Sequence, residues 1–370
     1  MYLHKNNLSY EKDGVYQYLT SADGGNRNLI TRKAKEEARA ADQYAKYKWV
    51  IISEDVDADN PEALALARGE VNLPVLSLKA FTYAPGRLNW GEPNNGSLTE
   101  NGQYITVQRN DHPIFTALNK KKGDKIHILS QIETRGLMPT AIEYDGSLCL
   151  ATALTRDIDN YNGDGPEETF LHEIPAAERP NGKKYICMPI ARASSQYLTD
   201  DGKNFIKAVI NYLLGSQNTV SVPELKITSF KINNLVGTID EAAGTIDITY
   251  DITKYPNIDL KEVVPTVTLA STYTHVLPAQ GEKVDFSNSS FSPVVFEVTD
   301  FINRRTYDVT VHSYNPQGID ELYNICDWVT VYDIYGRKIA TTNENIYSMD
   351  LPHGVYMIVL GDGNVLKIMK

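Results

Sequence analysis

The chain has 370 residues, 42% of them hydrophobic and 22% charged, with a formal net charge of -11 at pH 7. This composition is typical of a folded globular protein, and the length predicts two or three domains rather than one core. The acidic balance, without a long run of Lys or Arg, excludes nucleic acid as a predicted partner. No stretch of about 18 apolar residues exists, so no transmembrane segment is predicted.

Residues 1–216 alternate strand and helix patterns. The chain opens on Met1-Tyr2-Leu3-His4, which is typical of the end of a strand. No signal peptide is visible, so a leader and the first part of this strand are expected to precede these residues. Further strands are predicted at Asn28–Arg32, Lys48–Ser53, Leu73–Leu78, Tyr104–Gln108, Lys125–Leu129, Thr140–Tyr144, Leu148–Leu154 and Lys184–Pro189.

Three helices are predicted in the same part of the chain. Ala34–Ala45 is rich in good helix formers, and Asp59-Asn60-Pro61-Glu62 is typical of a helix start. The third begins at Thr199-Asp200-Asp201-Gly202 and runs through Leu214 with apolar residues at the 3.6-residue period. This alternation predicts an α/β domain with helices on both faces of a mainly parallel sheet, in which Trp49–Ile52 is central and Leu73–Leu78 lies beside it.

The rest of the chain is predicted to be all-β. Ser216–Pro223 has the composition of a linker. Strands recur without a helix over residues 223–314, which predicts a β-sandwich, and shorter strands over residues 319–370 predict a small β-meander. The predicted strands are Lys226–Ile232, Thr245–Asp251, Thr266–Leu269, Val294–Val298, Tyr307–His312, Trp328–Tyr332, Lys338–Thr341, Val355–Val359 and Val365–Ile368.

The last unit carries a recognisable pattern. It contains Val331-Tyr332-Asp333-Ile334-Tyr335-Gly336-Arg337-Lys338, then Leu351-Pro352-His353-Gly354-Val355-Tyr356, and ends on Lys367-Ile368-Met369-Lys370. This resembles the C-terminal sorting domain of Por-type secreted proteins. The resemblance implies that the secretion machinery of a Gram-negative bacterium is a partner and that the protein is secreted or held at the outer-membrane surface. The alternative is a β-unit that only packs on the sandwich.

The sandwich resembles the bacterial immunoglobulin-like modules of surface and glycan-utilisation proteins. The resemblance is carried by Ile227-Thr228-Ser229-Phe230, Gly237-Thr238-Ile239, Val264-Pro265, the run from Leu277 to Ser287, and Arg305-Thr306-Tyr307-Asp308-Val309-Thr310-Val311. It implies that these residues pack and turn and carry out no chemistry.

The first domain resembles the flavodoxin-like group of class I amidotransferase-like and ThuA-like proteins. The resemblance is carried by Trp49–Ser53 followed by a capped helix, Leu73-Pro74-Val75-Leu76 before a long loop, Asp111-His112-Pro113-Ile114-Phe115, and the helix at 200–214. The Gly-x-Cys-x-Gly nucleophile elbow of class I amidotransferases is absent, so the resemblance implies a fold without that chemistry.

One loop carries candidate ligand-binding residues. It follows the predicted strand Leu73–Leu78 and contains Lys79, Tyr83, Arg87 and Trp90. Ligands bind at the carboxyl ends of strands in open α/β sheets, and these residue types stack on sugar rings or bind carboxylates. The alternative is that the aromatic rings pack as local core, the commoner role for buried aromatics.

Asp111 and His112 are the second candidate pair. A carboxylate beside an imidazole fixes its tautomer and suits proton transfer. Adjacent residues usually point apart, however, and Asp111 before His-Pro favours a capping role at a helix N-terminus.

The segment 157–168 has some features of a calcium-binding loop. Asn160, Asn162 and Asp164 fit positions 1, 3 and 5 of such a loop, with Gly165 at position 6. Position 12 is Leu171, where a bidentate Glu belongs, so an acidic hairpin loop is favoured and no cofactor is expected beyond this possible calcium.

The sequence contains no motif for covalent chemistry. It has three cysteines, Cys149, Cys187 and Cys326, and the first two lie in apolar runs, so free thiols are predicted for all three. The seven histidines show no metal-binding spacing, and no serine-hydrolase elbow or nucleotide loop is present. No catalytic residue is assigned.

These patterns predict a secreted or cell-surface accessory protein that serves polysaccharide use by binding or display and is not an enzyme. Polysaccharide or another surface protein is the expected partner. The first alternative is a carbohydrate-active enzyme that uses Lys79, Arg87, Asp111 and His112 at the carboxyl end of the first sheet. The second is a structural spacer.

Overall fold

A computed structural model of the protein describes residues 1–5, 9–37, 39–91, 103–131, 142–156, 164–314, 329–342, 349, 351–360 and 365–369. The chain divides into two compact units. Unit 1 comprises Met1–Ser229, Val267–Glu282 and Val295–Tyr307, and unit 2 comprises Phe230–Thr266, Lys283–Val294 and Asp308–Lys370.

Unit 1 is built on a large mixed sheet. Its strands are β1 (Tyr2–His4), β2 (Thr31–Lys33), β3 (Val50–Ile52), β4 (Val75–Ser77), β5 (Tyr104–Val107), β6 (Lys125–His127), β7 (Leu148–Arg156), β8 (Asp164–Ile174) and β9 (Tyr185–Cys187). Within the described residues this nine-stranded sheet has the order β2-β1-β3-β4-β9-β8-β7-β5-β6. The predicted neighbours β3 and β4 are paired in parallel, as expected.

The prediction of a mainly parallel sheet is only half right. Strands β2, β1, β3, β4 and β9 are parallel, whereas β9, β8, β7, β5 and β6 are paired antiparallel. The reason lies in the connections, because a parallel pair needs a crossover of a dozen or more residues and usually a helix. The segment from β8 to β9 is shorter than that and contains only a 3-10 turn at Ala176–Glu178.

The helices in the described part of unit 1 are α1 (Gly14–Thr20), α2 (Pro61–Arg68), α3 (Pro113–Ala117), α4 (Arg192–Ser195) and α5 (Asp200–Leu214). The predicted helix 200–214 is confirmed, and the Thr199 side chain caps it by accepting from the Gly202 N–H. Helix α2 begins after Asn60, whose side chain accepts from the Ala63 N–H.

The helix predicted at Ala34–Ala45 is wrong. The structure has only a 3-10 turn there, at Ala41–Gln43. The buried Glu62 carboxylate of α2 accepts hydrogen bonds from the Lys35 N–H, the Arg39 guanidinium and the Tyr44 hydroxyl. These tertiary bonds hold the segment in an irregular path and override its helix propensity.

Alternate residues of the parallel strands enter two separate cores. Ile51 and Leu76 lie in one cluster with Phe205 of α5, while Val50 and Val75 lie in the other. Side chains of a strand alternate between its faces, so a sheet covered on both sides requires apolar residues at every position. This explains the near-continuous apolar runs of β3 and β4.

The later strands are β10 (Ile227–Ile232), β11 (Leu235–Val236), β12 (Thr238–Asp240), β13 (Thr245–Asp251), β14 (Thr266–Leu269), β15 (His275–Leu277), β16 (Val294–Thr299) and β17 (Arg304–Tyr314). Two sheets are formed, with the orders β11-β10-β14 and β12-β13-β17-β16-β15. The bounds predicted for β13 and β14 are confirmed. Strands β13 and β17 pair in parallel.

The last sheet contains β18 (Val329–Asp333), β19 (Lys338–Thr342), β20 (Val355–Leu360) and β21 (Val365–Met369). Its order is β19-β18-β20-β21, so the predicted meander is wrong: β18 is paired with both β19 and β20. The long connection between β19 and β20 allows β20 to pair with β18 and not with β19. Strand β18 is thus an inner strand of the sheet, and its Val329 and Val331 are buried.

Candidate functional site

The charged residues of the predicted loop are engaged within the protein. Lys79 Nζ donates to the Glu54 carbonyl at 2.6 Å and lies 3.2 Å from Glu54 Oε1. The Arg87 guanidinium donates to the Phe81 carbonyl at 2.5 Å. These bonds fold the loop onto itself and onto the residues that follow β3, and they engage both cations within the protein.

The aromatic residues of the same loop lie in the core. Tyr83 is fully buried, and its hydroxyl is 2.8 Å from His172 Nδ1. Trp90 packs edge-on against Tyr83 at 5.3 Å and against Tyr185 at 5.4 Å. Burial, together with the neighbouring Cys187 and Tyr185, raises the pKa of Tyr83 well above its usual value. The Tyr83 and Trp90 rings therefore pack as local core, which was the alternative interpretation of this loop.

Asp111 and His112 have separate roles. Arg109 donates two hydrogen bonds to the Asp111 carboxylate, at 2.9 and 2.8 Å. His112, and not Asp111, is the N-cap of α3, where its Nδ1 accepts from the Ile114 N–H. The predicted cap therefore falls one residue later, because Pro113 takes the first helical position and the imidazole of His112 reaches the free backbone donor.

His112 also belongs to a buried polar network. Its Nε2 is 3.0 Å from Glu173 Oε2, and the carboxylate accepts from the hydroxyls of Tyr212 and Thr219 at 2.7 and 2.9 Å. Both His112 and Glu173 are fully buried. A buried carboxylate is tolerated when it is paired in this way, so the network serves the fold.

The buried thiols lie in one row with a histidine. Cys149 of β7 and Cys187 of β9 are each in register with His172 of β8. Both cysteines are free and buried, as predicted, among the residues that the structure describes, and Cys326 lies outside those residues. Burial raises the pKa of the Cys187 thiol to about 12 and that of Cys149 further. Such thiols are inert at neutral pH.

The candidate calcium ligands are only partly described. Asn160 and Asn162 lie outside the described residues, and Asp164 is described only as the first backbone position of β8. Across the described ranges, no group of three or more His, Cys, Asp or Glu could hold a metal ion. None of the helices described is long and apolar enough to cross a membrane.

Unit 1 contains a cleft that was not predicted from the sequence. Strands β15 and β16 form an antiparallel hairpin in which His275 is paired with Thr299 and Leu277 with Glu297. Because strand residues alternate between two faces, these four share one face. That face borders a cavity of about 750 Å³, here called the hairpin cleft, whose other wall includes Glu168 of β8.

A tight turn presents an aromatic ring to the hairpin cleft. Phe301 follows β16 with a φ of 76°, in the left-handed region that non-glycine residues rarely adopt. Its N–H donates to Thr299 Oγ1 at 3.0 Å, while Asp300 Oδ1 accepts from the Asn303 N–H at 2.7 Å. The Asn303 side chain donates to the Ser147 carbonyl at 3.3 Å. These bonds maintain a conformation that costs about 1–3 kcal/mol.

The hairpin cleft combines rings with polar groups. The centroids of the His275 and Phe301 rings are 4.7 Å apart. His275 Nε2 is buried and has no hydrogen-bond partner in the described part of the chain. Burial, with a contribution from Lys122, lowers the pKa of His275, so its ring is neutral at pH 7. Arg304 lies 3.9 Å from Glu297 and remains largely exposed.

A signal for this site exists in the sequence. Asp300-Phe301-Ile302-Asn303 places an aromatic residue between Asp and Asn in a turn joining two predicted strands. Turn residues that carry a partly exposed ring are candidates for binding. The opposite wall could not be found in this way, because β8 is far from the turn in sequence and was expected to be a loop at its start.

Comparisons with known proteins bear on this part of the chain. Residues 227–311 match the protein-family model described as SGBP, N-terminal, a surface glycan-binding family. All cleft residues except those of β8 lie within the matched segment.

A solved structure of a ThuA-like protein from Parabacteroides merdae is also similar. The similarity covers 60% of this chain and 92% of that chain, with 13% sequence identity and a TM-score of 0.36. No curated protein matches the chain.

Proposed function

We propose that the protein is a non-catalytic accessory protein that binds glycan in the hairpin cleft, at the cell surface or after secretion, for polysaccharide utilisation. One observation carries the proposal: the segment that matches a glycan-binding family supplies most of the cleft lining. The match and the cavity are independent observations, and they point to the same residues.

The chemistry of the hairpin cleft suits a sugar chain. A sugar ring has apolar C–H faces and a rim of hydroxyls, so it needs a ring to stack on and partners that both donate and accept. Phe301 supplies the ring. Arg304 offers hydrogen-bond donors to the cleft, and the carboxylate of Glu297 accepts.

The enzyme alternative has less support. Catalysis needs a nucleophile held next to a base, with donors aimed at the developing charge. Lys79 is bonded to Glu54 and Arg87 to the Phe81 carbonyl of its own loop, and burial raises the pKa values of the two thiols. These facts favour binding, and hydrolysis of any test glycan would contradict the proposal.

Delivery to the surface is part of the proposal. Residues 319–370 would act as the sorting-type unit through which secretion machinery handles the protein. The tight turn after β18 supports this assignment, because Asp333 accepts from the N–H groups of Tyr335 and Arg337, and Gly336 has a φ of 75°.

Isothermal titration with soluble starch, xyloglucan and galactomannan tests the binding site. Phe301→Gly removes the ring, so it should weaken binding at least tenfold, about 1.4 kcal/mol. The variant loses the packing of this ring against the core while glycine relieves the left-handed backbone, so binding is measured below the melting temperature of the variant. The matched control is Phe291→Ala, which removes an 89% exposed ring from the same family segment but outside the cleft.

Three results would count against the proposal. Binding unchanged in Phe301→Gly would remove the hairpin cleft as the site. Equal losses in both variants would show that a general aromatic surface binds. No binding of any glycan by the wild type would favour the spacer alternative.

A further inference from the structure

The walls of the hairpin cleft carry an uneven charge. Among the described residues that line it, the charged ones are Glu167, Glu168, Glu297 and Arg304. Arg304 is the single cation of that set, and its nearest described carboxylate is Glu297 at 3.9 Å. His275 adds no charge, because its pKa lies below the ordinary value. The lining is therefore acidic.

Groups just outside the lining do not reverse this balance. Lys122 and Asp300 both act on His275, with opposite signs. Lys122 Nζ donates to the Thr272 carbonyl and is thereby held outside the cleft lining. Neither group lines the cleft, so carboxylates still outnumber cations among the described lining residues.

The acidic wall of β8 is fixed in place. Glu167 Oε1 accepts from the Thr106 hydroxyl at 2.8 Å, and Oε2 accepts from the Thr152 hydroxyl at 2.9 Å. A carboxylate bonded through both oxygens cannot swing away from an incoming anion. It offers such a ligand no donor, since an ionised carboxylate only accepts hydrogen bonds.

We propose that the hairpin cleft selects uncharged glycan chains and rejects those that carry carboxylates or sulfates. This inference rests on the proposed function and adds the class of ligand. A uronate or sulfate group in the cleft would lie against a lining whose described residues include three glutamates and one arginine. Like charges a few ångströms apart repel strongly enough to change affinity roughly tenfold in a partly screened site.

The test compares matched ligands. Amylose, xyloglucan and galactomannan are titrated as prepared and after oxidation of a fraction of their C6 hydroxyls to carboxylates. The oxidised form of each polysaccharide that binds should be at least tenfold weaker at low salt. The difference should shrink at about 0.5 M NaCl, where screening is effective within a few ångströms.

Charge-neutral variants locate the cause. Glu168→Gln with Glu297→Gln should reduce the discrimination against the oxidised chain at least fivefold. The control, Asp23→Asn with Asp201→Asn, changes the net charge equally at two exposed positions away from the cleft and should leave the discrimination unchanged.

The outcomes separate this inference from the function beneath it. Equal binding of neutral and oxidised chains at low salt would overturn the charge selection while leaving glycan binding in place. So would an equal effect of the control pair. Failure of every neutral chain to bind would overturn both.

Discussion

Two regions of unit 1 combine aromatic rings with a histidine, and they use them differently. Around Tyr83, Trp90 and His172 the rings interlock in the core, and the Tyr83 hydroxyl bonds to the imidazole. Around His275 and Phe301 the rings border a cavity, and one ring is held in an uncommon backbone conformation. The residue types are alike, but their surroundings are not.

What separates the two regions is the space beside the rings. In the first region the rings are buried, and the neighbouring Lys79 and Arg87 donate to nearby carbonyls. An unpartnered ring nitrogen does not distinguish the regions, because His172 Nε2 and His275 Nε2 both have no hydrogen-bond partner among the described residues. The second region differs because it lines a cavity and holds Phe301 in the left-handed backbone region. Backbone strain at the edge of a cavity is typical of a site that binds another molecule.

The largest expected effect lies in the packed region. Trp90→Ala removes an indole that is 9% exposed, and we expect the free energy of unfolding to fall by about 3–5 kcal/mol. Glycan affinity, measured below the lowered melting temperature, should stay within twofold of the wild type. Urea denaturation gives the first quantity and calorimetric titration the second. Loss of binding in the folded variant would place recognition in the loop 79–90.

A smaller effect is expected in the pH dependence of stability, which distinguishes the core residue His172 from His275 at the hairpin cleft. Burial lowers the pKa of His172 to about 3, against an ordinary value of 6.5. The unfolded chain therefore binds a proton more readily than the folded one, so the stability is complete above pH 6.5 and declines as the pH falls below it. Between pH 7 and pH 5 this group should remove about 2 kcal/mol.

Denaturation of His172→Gln at both pH values checks this expectation. The variant should lose about that much less stability between pH 7 and pH 5 than the wild type does. His275→Gln serves as the comparison, since the ring of His275 lines the hairpin cleft and does not lie in the core. An unchanged pH dependence in His172→Gln would show that the imidazole is not buried in the neutral form.

The sequence predicted the regular elements better than the site. Strand β13 and helix α5 were found with their bounds because their apolar residues alternate with the period of the element. The start of β8 was expected to be a loop, since it is acidic and glycine-containing. The Glu167 carboxylate accepts hydrogen bonds from Thr106 and Thr152 of other strands, and no local sequence pattern indicates such partners.

The candidate site shows the same limit. Trp90 and Tyr83 have the right side chains for sugar binding, and only the fold reveals that they are buried. The hairpin cleft joins β8 to a turn more than a hundred residues away, Glu168 to Phe301. For residues 223–314 the sequence predicted a module of surface and glycan-utilisation proteins, in agreement with the family match at 227–311, but assigned its residues to packing and turns alone. Its immunoglobulin-like fold stays a prediction.

The most direct measurement is hydrogen–deuterium exchange of the full chain with and without a saturating neutral oligosaccharide that binds it. Glycan bound in the hairpin cleft should slow exchange at residues 274–280 and 297–304, because these segments supply the hairpin and the turn. The loop 79–90 should exchange at the same rate in both states. Protection of that loop, with none at the hairpin and turn, would contradict the account.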